Sequence, residues 1–313
     1  MLKYIIRRTL LVIPTLLAVT FIVYTLLIVT PGDPGRIILG EFASQEAVDQ
    51  LNHELGADKP FIQRFADYVV GILTRFDFGN SYRTGNAVVD EIMVRFPYTL
   101  FIAFCAVTGS TLLGMPIGIL MAAKRNMLID RSVNILAMIF AAIPSFVFAL
   151  SLIYVFAVQL KWLPPFGVKT WQSFILPLVT LILPSSVSRM RLARTTMLES
   201  IRQEYVTMAR SKGIPENRVI FVHALKNSLI PLITSILNSF SGMLGGAMIL
   251  ETVFSIPGLG LYIVQGIKLK DMPTTLATTI FLAAIFCFTS LLLDIIYALV
   301  DPRIKSRYTK EAR

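Results

Sequence analysis

The stretch Thr9-Leu-Leu-Val-Ile-Pro-Thr-Leu-Leu-Ala-Val-Thr-Phe-Ile-Val-Tyr-Thr-Leu-Leu-Ile-Val29 decides the fold. It holds 21 residues without a charge. At about 1.5 Å per residue, a helix of that length crosses the roughly 30 Å hydrocarbon core of a bilayer. The basic segment Met1-Leu-Lys-Tyr-Ile-Ile-Arg-Arg precedes it. A cleavable signal segment needs a shorter apolar run and a small-residue cleavage site, whereas this run ends at Thr30-Pro-Gly-Asp-Pro. The run reads as an uncleaved first membrane span.

Outward from it, four further stretches satisfy the same length test: Thr99–Ala123, Val133–Gln159, Leu229–Leu250 and Leu276–Val300. A sixth, Phe174–Ser188, is short and carries Pro177 and Pro184. It is expected to continue as helix through Arg189, Arg191 and Arg194, whose long stems can reach the headgroups. Composition agrees: 55% of residues are apolar, 15% are charged, and mean hydropathy is +0.70. A soluble domain is about 45–50% apolar and about 25% charged. The surplus apolar surface must face lipid.

Charge sets the orientation. With the N-terminus inside, the inner segments carry 19 of the 29 lysines and arginines, and the outer ones carry 10. The long 30–98 segment holds ten of the nineteen acids. Both ends are therefore expected in the cytoplasm. The net charge of +10 is spread along the chain and not pooled, so it fits orientation and not nucleic acid.

The 30–98 loop is too long to lack structure. Ser44 can cap a helix running to Leu55 with Gly56 at its end, and Pro60 can open a second over Phe61–Leu73. Asn86 can cap a third that leads through Pro97 into the second span. These helices form either a small extracytoplasmic cap or elements lying in the membrane interface.

Chemistry is scarce. No G-x-x-x-x-G-K-[ST] run is present, the two histidines His53 and His223 fall in loops, and no metal-ligand spacing occurs. Cys105 and Cys287 read as small core hydrophobes. Asp294, the one carboxylate deep in a span, reads as half of a structural ion pair or as a proton-coupling group. In the fifth span Ser235, Ser239, Gly242 and Gly246 form a small-residue stripe, suited to tight helix packing or to the wall of a substrate path.

The most informative loop runs from Glu204 to Pro231 between the fourth and fifth spans. Good helix formers fill Thr195–Lys212, Gly213 stops the helix, and Pro215 can start another. Two short helices joined at a glycine make a compact knob, although spacing alone fits a plain surface loop equally well.

This loop resembles the EAA loop of bacterial ABC-importer permeases, in the form of the dipeptide/oligopeptide/nickel group. Further motifs agree, in order: Leu-Val-Ile-Pro14-Thr, Pro31-Gly-Asp-Pro34, Asp77-Phe-Gly-Asn-Ser81, Trp162-Leu-Pro164, Glu251-Thr-Val-Phe-Ser-Ile-Pro-Gly-Leu-Gly260 and Asp301-Pro-Arg-Ile304. The chain departs from the general EAA pattern at Thr207-Met-Ala209 and at Leu229-Ile-Pro231, as the peptide group does.

The resemblance implies an all-α membrane protein with six transmembrane helices of the type I ABC-importer permease kind and a helical extracytoplasmic cap between the first two. Its parts are 1–30 (N-terminus and first helix), 31–98 (outer helical loop), 99–300 (core with a coupling loop at about 195–228) and 301–313 (cytoplasmic tail). The implied location is the bacterial inner membrane. The implied role is half of a path for di- or oligopeptides, or for another solute such as glutathione or a nickel chelate. A stand-alone secondary transporter is the competing class, and a membrane enzyme lacks the polar cluster it would need.

Implied partners are membrane lipid, a homologous second permease forming a heterodimer, two ATPase subunits and an extracytoplasmic solute-binding protein. No cofactor belongs to this chain, while ATP and magnesium belong to the ATPases. ATPase coupling falls to Glu204, Tyr205, Met208, Ala209, Lys212, Gly213, Ile214 and Arg218. The path candidates are Ser235, Ser239, Gly242 and Gly246, and Glu251, Phe254, Pro257 and Gly258 are expected to face the binding protein.

Overall fold

The computed structural model describes residues 2–29, 32–123 and 128–300. The motif at 301–304 and the tail 301–313 lie outside the described residues. Among the described residues fourteen α-helices follow one another: α1 Leu2–Val29, α2 Pro34–Leu39, α3 Gln45–Glu54, α4 Phe61–Arg75, α5 Val88–Ala123, α6 Leu128–Ala142, α7 Ser145–Leu152, α8 Ile175–Ile201, α9 Glu204–Ser211, α10 Glu216–Arg218, α11 Leu225–Gly246, α12 Met248–Val253, α13 Leu259–Lys268 and α14 Met272–Val300. Short π-helical segments follow α7 (Ile153–Gln159) and α10 (Val219–Ala224), and a 3-10 turn, Trp171–Phe174, opens α8.

Among the described residues, five helices are long and apolar enough to cross a membrane: Arg8–Val29, Val88–Ala123, Trp171–Ile201, Glu216–Gly245 and Met272–Ile296. The expected span Val133–Gln159, third in chain order, is not one straight helix. Its two parts, Ser132–Phe140 and Ser145–Gln159, meet at 98°. Pro144 explains the break: it lacks an N–H and steers Ile143 away from the helical region. The second span is longer than hydropathy alone suggests, because the amphipathic turn after Asn86 runs on through Pro97 without interruption.

The centre of the bundle is the α5–α8 pair, brought into backbone contact by a Gly114-x-x-x-Gly118 step. A Cβ on Gly114 would lie 2.5 Å from the Ser186 carbonyl oxygen, and one on Gly118 would lie 2.4 Å from that of Met190. Such close approach is what small residues at four-residue spacing permit. The tight seam also captures Arg189, which is 3% exposed and whose Nε donates to Ser110 Oγ at 2.9 Å. Arg189 therefore does not reach for headgroups as expected: with α5 this close, its stem lies between the helices.

α1 packs chiefly on α14. Of the two readings open for Asp294, the geometry fits the ion pair: its Oδ2 meets Arg8 Nε at 2.5 Å, tying the first span to the last. Around the rest of α1, Leu10, Leu11, Ile13, Leu17, Ile22, Leu26 and Val29 are exposed, as lipid contact requires.

The 32–87 segment holds α2, α3 and α4 and then, over 76–87, turns closed by an Asn80–Ala87 bridge, and a few polar contacts hold it. Ser44 Oγ accepts the Ala47 N–H at 3.3 Å, so α3 starts where its N-cap predicts. Asp33 and Asn52 bridge α2 and α3, with Asn52 Nδ2 donating to Asp33 Oδ1 at 2.7 Å. Asn52 Oδ1 in turn accepts the Gly35 N–H at 2.8 Å. At the far end, buried Asp271 accepts from Ser81 Oγ (2.5 Å), the Tyr82 N–H (3.2 Å) and Thr274 Oγ1 (2.9 Å). This one carboxylate fastens the Asp77–Ser81 motif to the start of α14. Asp271→Ala leaves these donors buried without an acceptor, at about 1–3 kcal/mol each. The expected result is a lower melting temperature in detergent and faster proteolysis near Tyr82. An unchanged melting curve and digestion pattern would count against the role.

Candidate functional site

The knob foreseen between the fourth and fifth spans is present. α8 ends at Ile201, α9 follows after a two-residue turn, and Gly213 takes φ +72°, the left-handed conformation glycine adopts without strain. Pro215 then sets up the first turn of α10. Across the Gly213 turn, Arg210 and Glu216 form a two-point pair, Nε to Oε2 at 3.0 Å and Nη2 to Oε1 at 2.6 Å. The Glu216 carboxylate holds the exposed Arg210 guanidinium even more firmly in its charged form than usual. An exposed pair is worth little energy, but its two-point geometry fixes the angle of the turn.

Beneath the turn lies a private core of Ala122, Met197, Val206, Ala209, Val219, Ile220 and Ala224, with Ile214 packed at its edge. Glu204, Tyr205, Met208, Lys212, Gly213 and Arg218 are exposed, and Met208 is the most prominent apolar one at 62%. Ala209, expected on the coupling surface, is 7% exposed and packs inward. This is a correction with a plain cause: Val206 and Ala209 are three apart on α9 and share the face turned to the core. Phe221 and Val222 are also exposed on the knob, and the sequence reading did not single them out.

From α10 the chain passes through the π-helical segment straight into α11 with no loop between. π-turns inside a helix concentrate at functional positions. The knob is thus the end of one helical rod, Glu216 to Gly246, that crosses the bilayer.

On that rod, Ser235 and Ser239 are half-buried. Gly242 is exposed, and a Cβ there would meet nothing within 4 Å. Gly246 closes the helix, and its surroundings lie outside those described. Pro231, Asn238, Gly242 and Gly245 form an exposed line at steps of seven, four and three, while Ser241 donates to Thr289 Oγ1 of α14 at 2.8 Å. The helix has one face packed and one open. Asn238, a polar side chain on the open face, escaped the sequence reading; an exposed amide inside an apolar span was the available signal.

The Glu251–Gly260 segment lies otherwise than expected. Glu251 is 0% exposed, Phe254 is 2% exposed and Gly258 is buried, so none of the three presents a surface to a partner; only Pro257 is half-exposed. Thr99 Oγ1 donates to Glu251 Oε1 at 2.7 Å. The N–H groups of Gly260 and Leu261 donate to Oε2 at 2.7 and 3.1 Å. The Leu259 N–H completes the ring by donating to Thr99 Oγ1 at 2.9 Å. Burial pushes the Glu251 carboxyl up from its ordinary pKa, against the lowering effect of these donors. The glycines are required by this carboxylate, since a Cβ on Gly258 would lie 2.4 Å from its Cδ. The motif is a buried latch between α12, α13 and α5.

These features define a multi-pass helical membrane protein with a compact extramembrane knob on a membrane-crossing rod and a covering of smaller helices over one end. The chain belongs to the family of binding-protein-dependent transport system inner membrane components: the model of that family matches residues 114–306, and the model of its N-terminal region matches 1–103. It is similar to the glutathione transport system permease protein GsiC of Pectobacterium atrosepticum, 35% identical over 305 residues, covering 97% of this chain and 99% of that one. The GsiC of Escherichia coli K12 is 34% identical over the same coverage. Among solved structures, the MetNI methionine ABC transporter in an inward-facing conformation is similar in fold, with a TM-score of 0.58 and 18% identity. That match covers 68% of this chain and 97% of the other. An amino acid ABC transporter matches with a TM-score of 0.52 and 21% identity, covering 66% of this chain and 93% of the other.

The chain is therefore a permease subunit of an ABC importer, an inner-membrane component that works with ATPases and a binding protein.

Proposed function

We propose that this permease forms half of a translocation path for short peptides, glutathione included, and that its knob receives the ATP-driven motion of the ATPase subunits. The observation that carries this reading is the helical continuity from the exposed knob into α11. A push on Met208 or Tyr205 of α9 passes through the Arg210–Glu216 pair and the shared core to the rod, which carries exposed Asn238 and Gly242 beside half-buried Ser235 and Ser239. A homologous second permease covers that open face in a heterodimer, and two ATPases, holding the ATP and magnesium, each take one knob. The knob, with both chain termini, lies in the cytoplasm, in keeping with the distribution of lysine and arginine. Relatives named for glutathione, a tripeptide, favour a solute of that size.

Met208→Glu tests the knob without touching its core, whereas Ala209→Glu would bury a charge and unfold it. In the assembled transporter, Met208→Glu is expected to reduce ATPase stimulation by loaded binding protein about tenfold or more, since a charge in a docked apolar contact costs at least about 1.4 kcal/mol. Normal stimulation would sink the docking role. The solute is tested by uptake in a deletion strain: di- and tripeptide uptake, glutathione among them, should require this chain, and uptake unaffected by its loss would refute the assignment.

A further inference from the structure

α4 has three faces. Phe61, Phe65, Tyr68 and Ile72 pack inward, where Phe21 and Tyr24 of α1 meet the Phe61 and Phe65 rings edge-on at 5.3–5.8 Å. Gln63, Asp67 and Thr74 form a polar line, with Asp67 paired to Lys59 at 2.9 Å. Ile62, Ala66, Val70 and Leu73 form a third, apolar line at steps of four, four and three, and all four are exposed; Leu73 is 72% exposed. Phe76, just past the helix end, is exposed too.

Depth decides what covers the apolar line. α4 crosses α1 at Phe21 and Tyr24, which lie about 7–12 Å along the helix from the end of the Arg8–Val29 span. Helices that lie in a membrane interface bury their apolar face about 5–10 Å below the headgroups. At the same level α1 exposes Ile22, Leu26 and Val29. α1 packs chiefly on α14, so α4 sits at the rim of the bundle and its apolar line continues the lipid-facing surface of the first span.

We infer that α4 is an interfacial helix embedded in the bilayer leaflet at the C-terminal end of α1, with Ile62, Val70 and Leu73 in contact with phospholipid acyl chains. The 32–87 segment is thereby anchored at the membrane surface by its own helix as well as by the Asp271 contacts. Its apolar line meets lipid and not a partner protein, and its polar line faces water.

Site-directed spin labelling of the complete transporter in nanodiscs tests this, in a Cys105→Ala, Cys287→Ala background that retains uptake. Nitroxides are placed singly at 62, 70 and 73 and, for comparison, at 63, 67 and 74. Collision with oxygen, which partitions into lipid, is compared with collision with a water-soluble nickel chelate. The expected ratio of oxygen to nickel accessibility is several-fold higher at 62, 70 and 73 than at the other three positions. Two outcomes overturn the inference: high nickel accessibility at 62, 70 and 73 would place that face in water, and shielding from both reagents would show it covered by protein.

Discussion

Gly114→Val combined with Gly118→Val is expected to abolish the folded bundle. At both positions the first added carbon meets a backbone carbonyl oxygen of α8 at 2.4–2.5 Å, so no side-chain rearrangement can relieve the clash. The two helices must separate, and the buried contact of Arg189 with Ser110 goes with them. Overpacking costs about 1–3 kcal/mol per site even where neighbours can adjust. The purified double variant should therefore aggregate or melt far below the parent in detergent. In the subunit purified alone, Gly245→Ala provides the contrast, because a Cβ there meets nothing within 4 Å and should leave the melting temperature where it was. Equal stability of the double variant and the parent would show that α5 and α8 do not touch this closely.

The second large effect concerns the latch. Glu251→Ala removes the acceptor shared by Thr99 Oγ1 and the N–H groups of Gly260 and Leu261, all in the interior. Each buried unpaired donor costs about 1–3 kcal/mol, so a loss of roughly 3 kcal/mol or more is expected. Transport should fall with it, since α12 and α13 lose their tie to α5. Glu251→Gln keeps one acceptor oxygen but turns an amide N–H2 toward a backbone donor, so its melting temperature should fall between those of the parent and the alanine variant. If Glu251→Ala melts with the parent, the carboxylate is no latch.

Much of the architecture could be read from the chain because a bilayer leaves few choices. A charge-free run of some twenty residues can only be a span, and the number of crossings follows from counting such runs. Helix limits were legible where a local signal acts, as at the starts by Ser44 and Pro60 and the stop at Gly213. Hydropathy averages over a window, so it could not show that Pro144 turns the third span, Val133–Gln159, through 98°.

The candidate site was legible in part. The knob and its glycine were found, but the inward face of Ala209 depends on which side of an eight-residue helix meets Met197 and Val219. Glu251 misled for a deeper reason. A carboxylate in a loop between spans reads as surface, and only the fold brings Thr99, 152 residues away in sequence, to its side. The Gly114-x-x-x-Gly118 step was visible in the sequence and passed over; small residues four apart in a span were the signal.

The pair between Arg8 and Asp294 joins the first and last of the described helices. Ribosomes add about 5–20 residues per second, so roughly 15–60 s separate the appearance of the arginine from that of its carboxylate. Throughout that interval the first helix has entered the bilayer without its clasp, and its guanidinium must be held by lipid headgroups or by the insertion machinery. The last span to emerge is the one that closes the assembly. A chain cut short before Asp294 keeps the ring contacts of α1 with α4 but leaves Arg8 without this carboxylate.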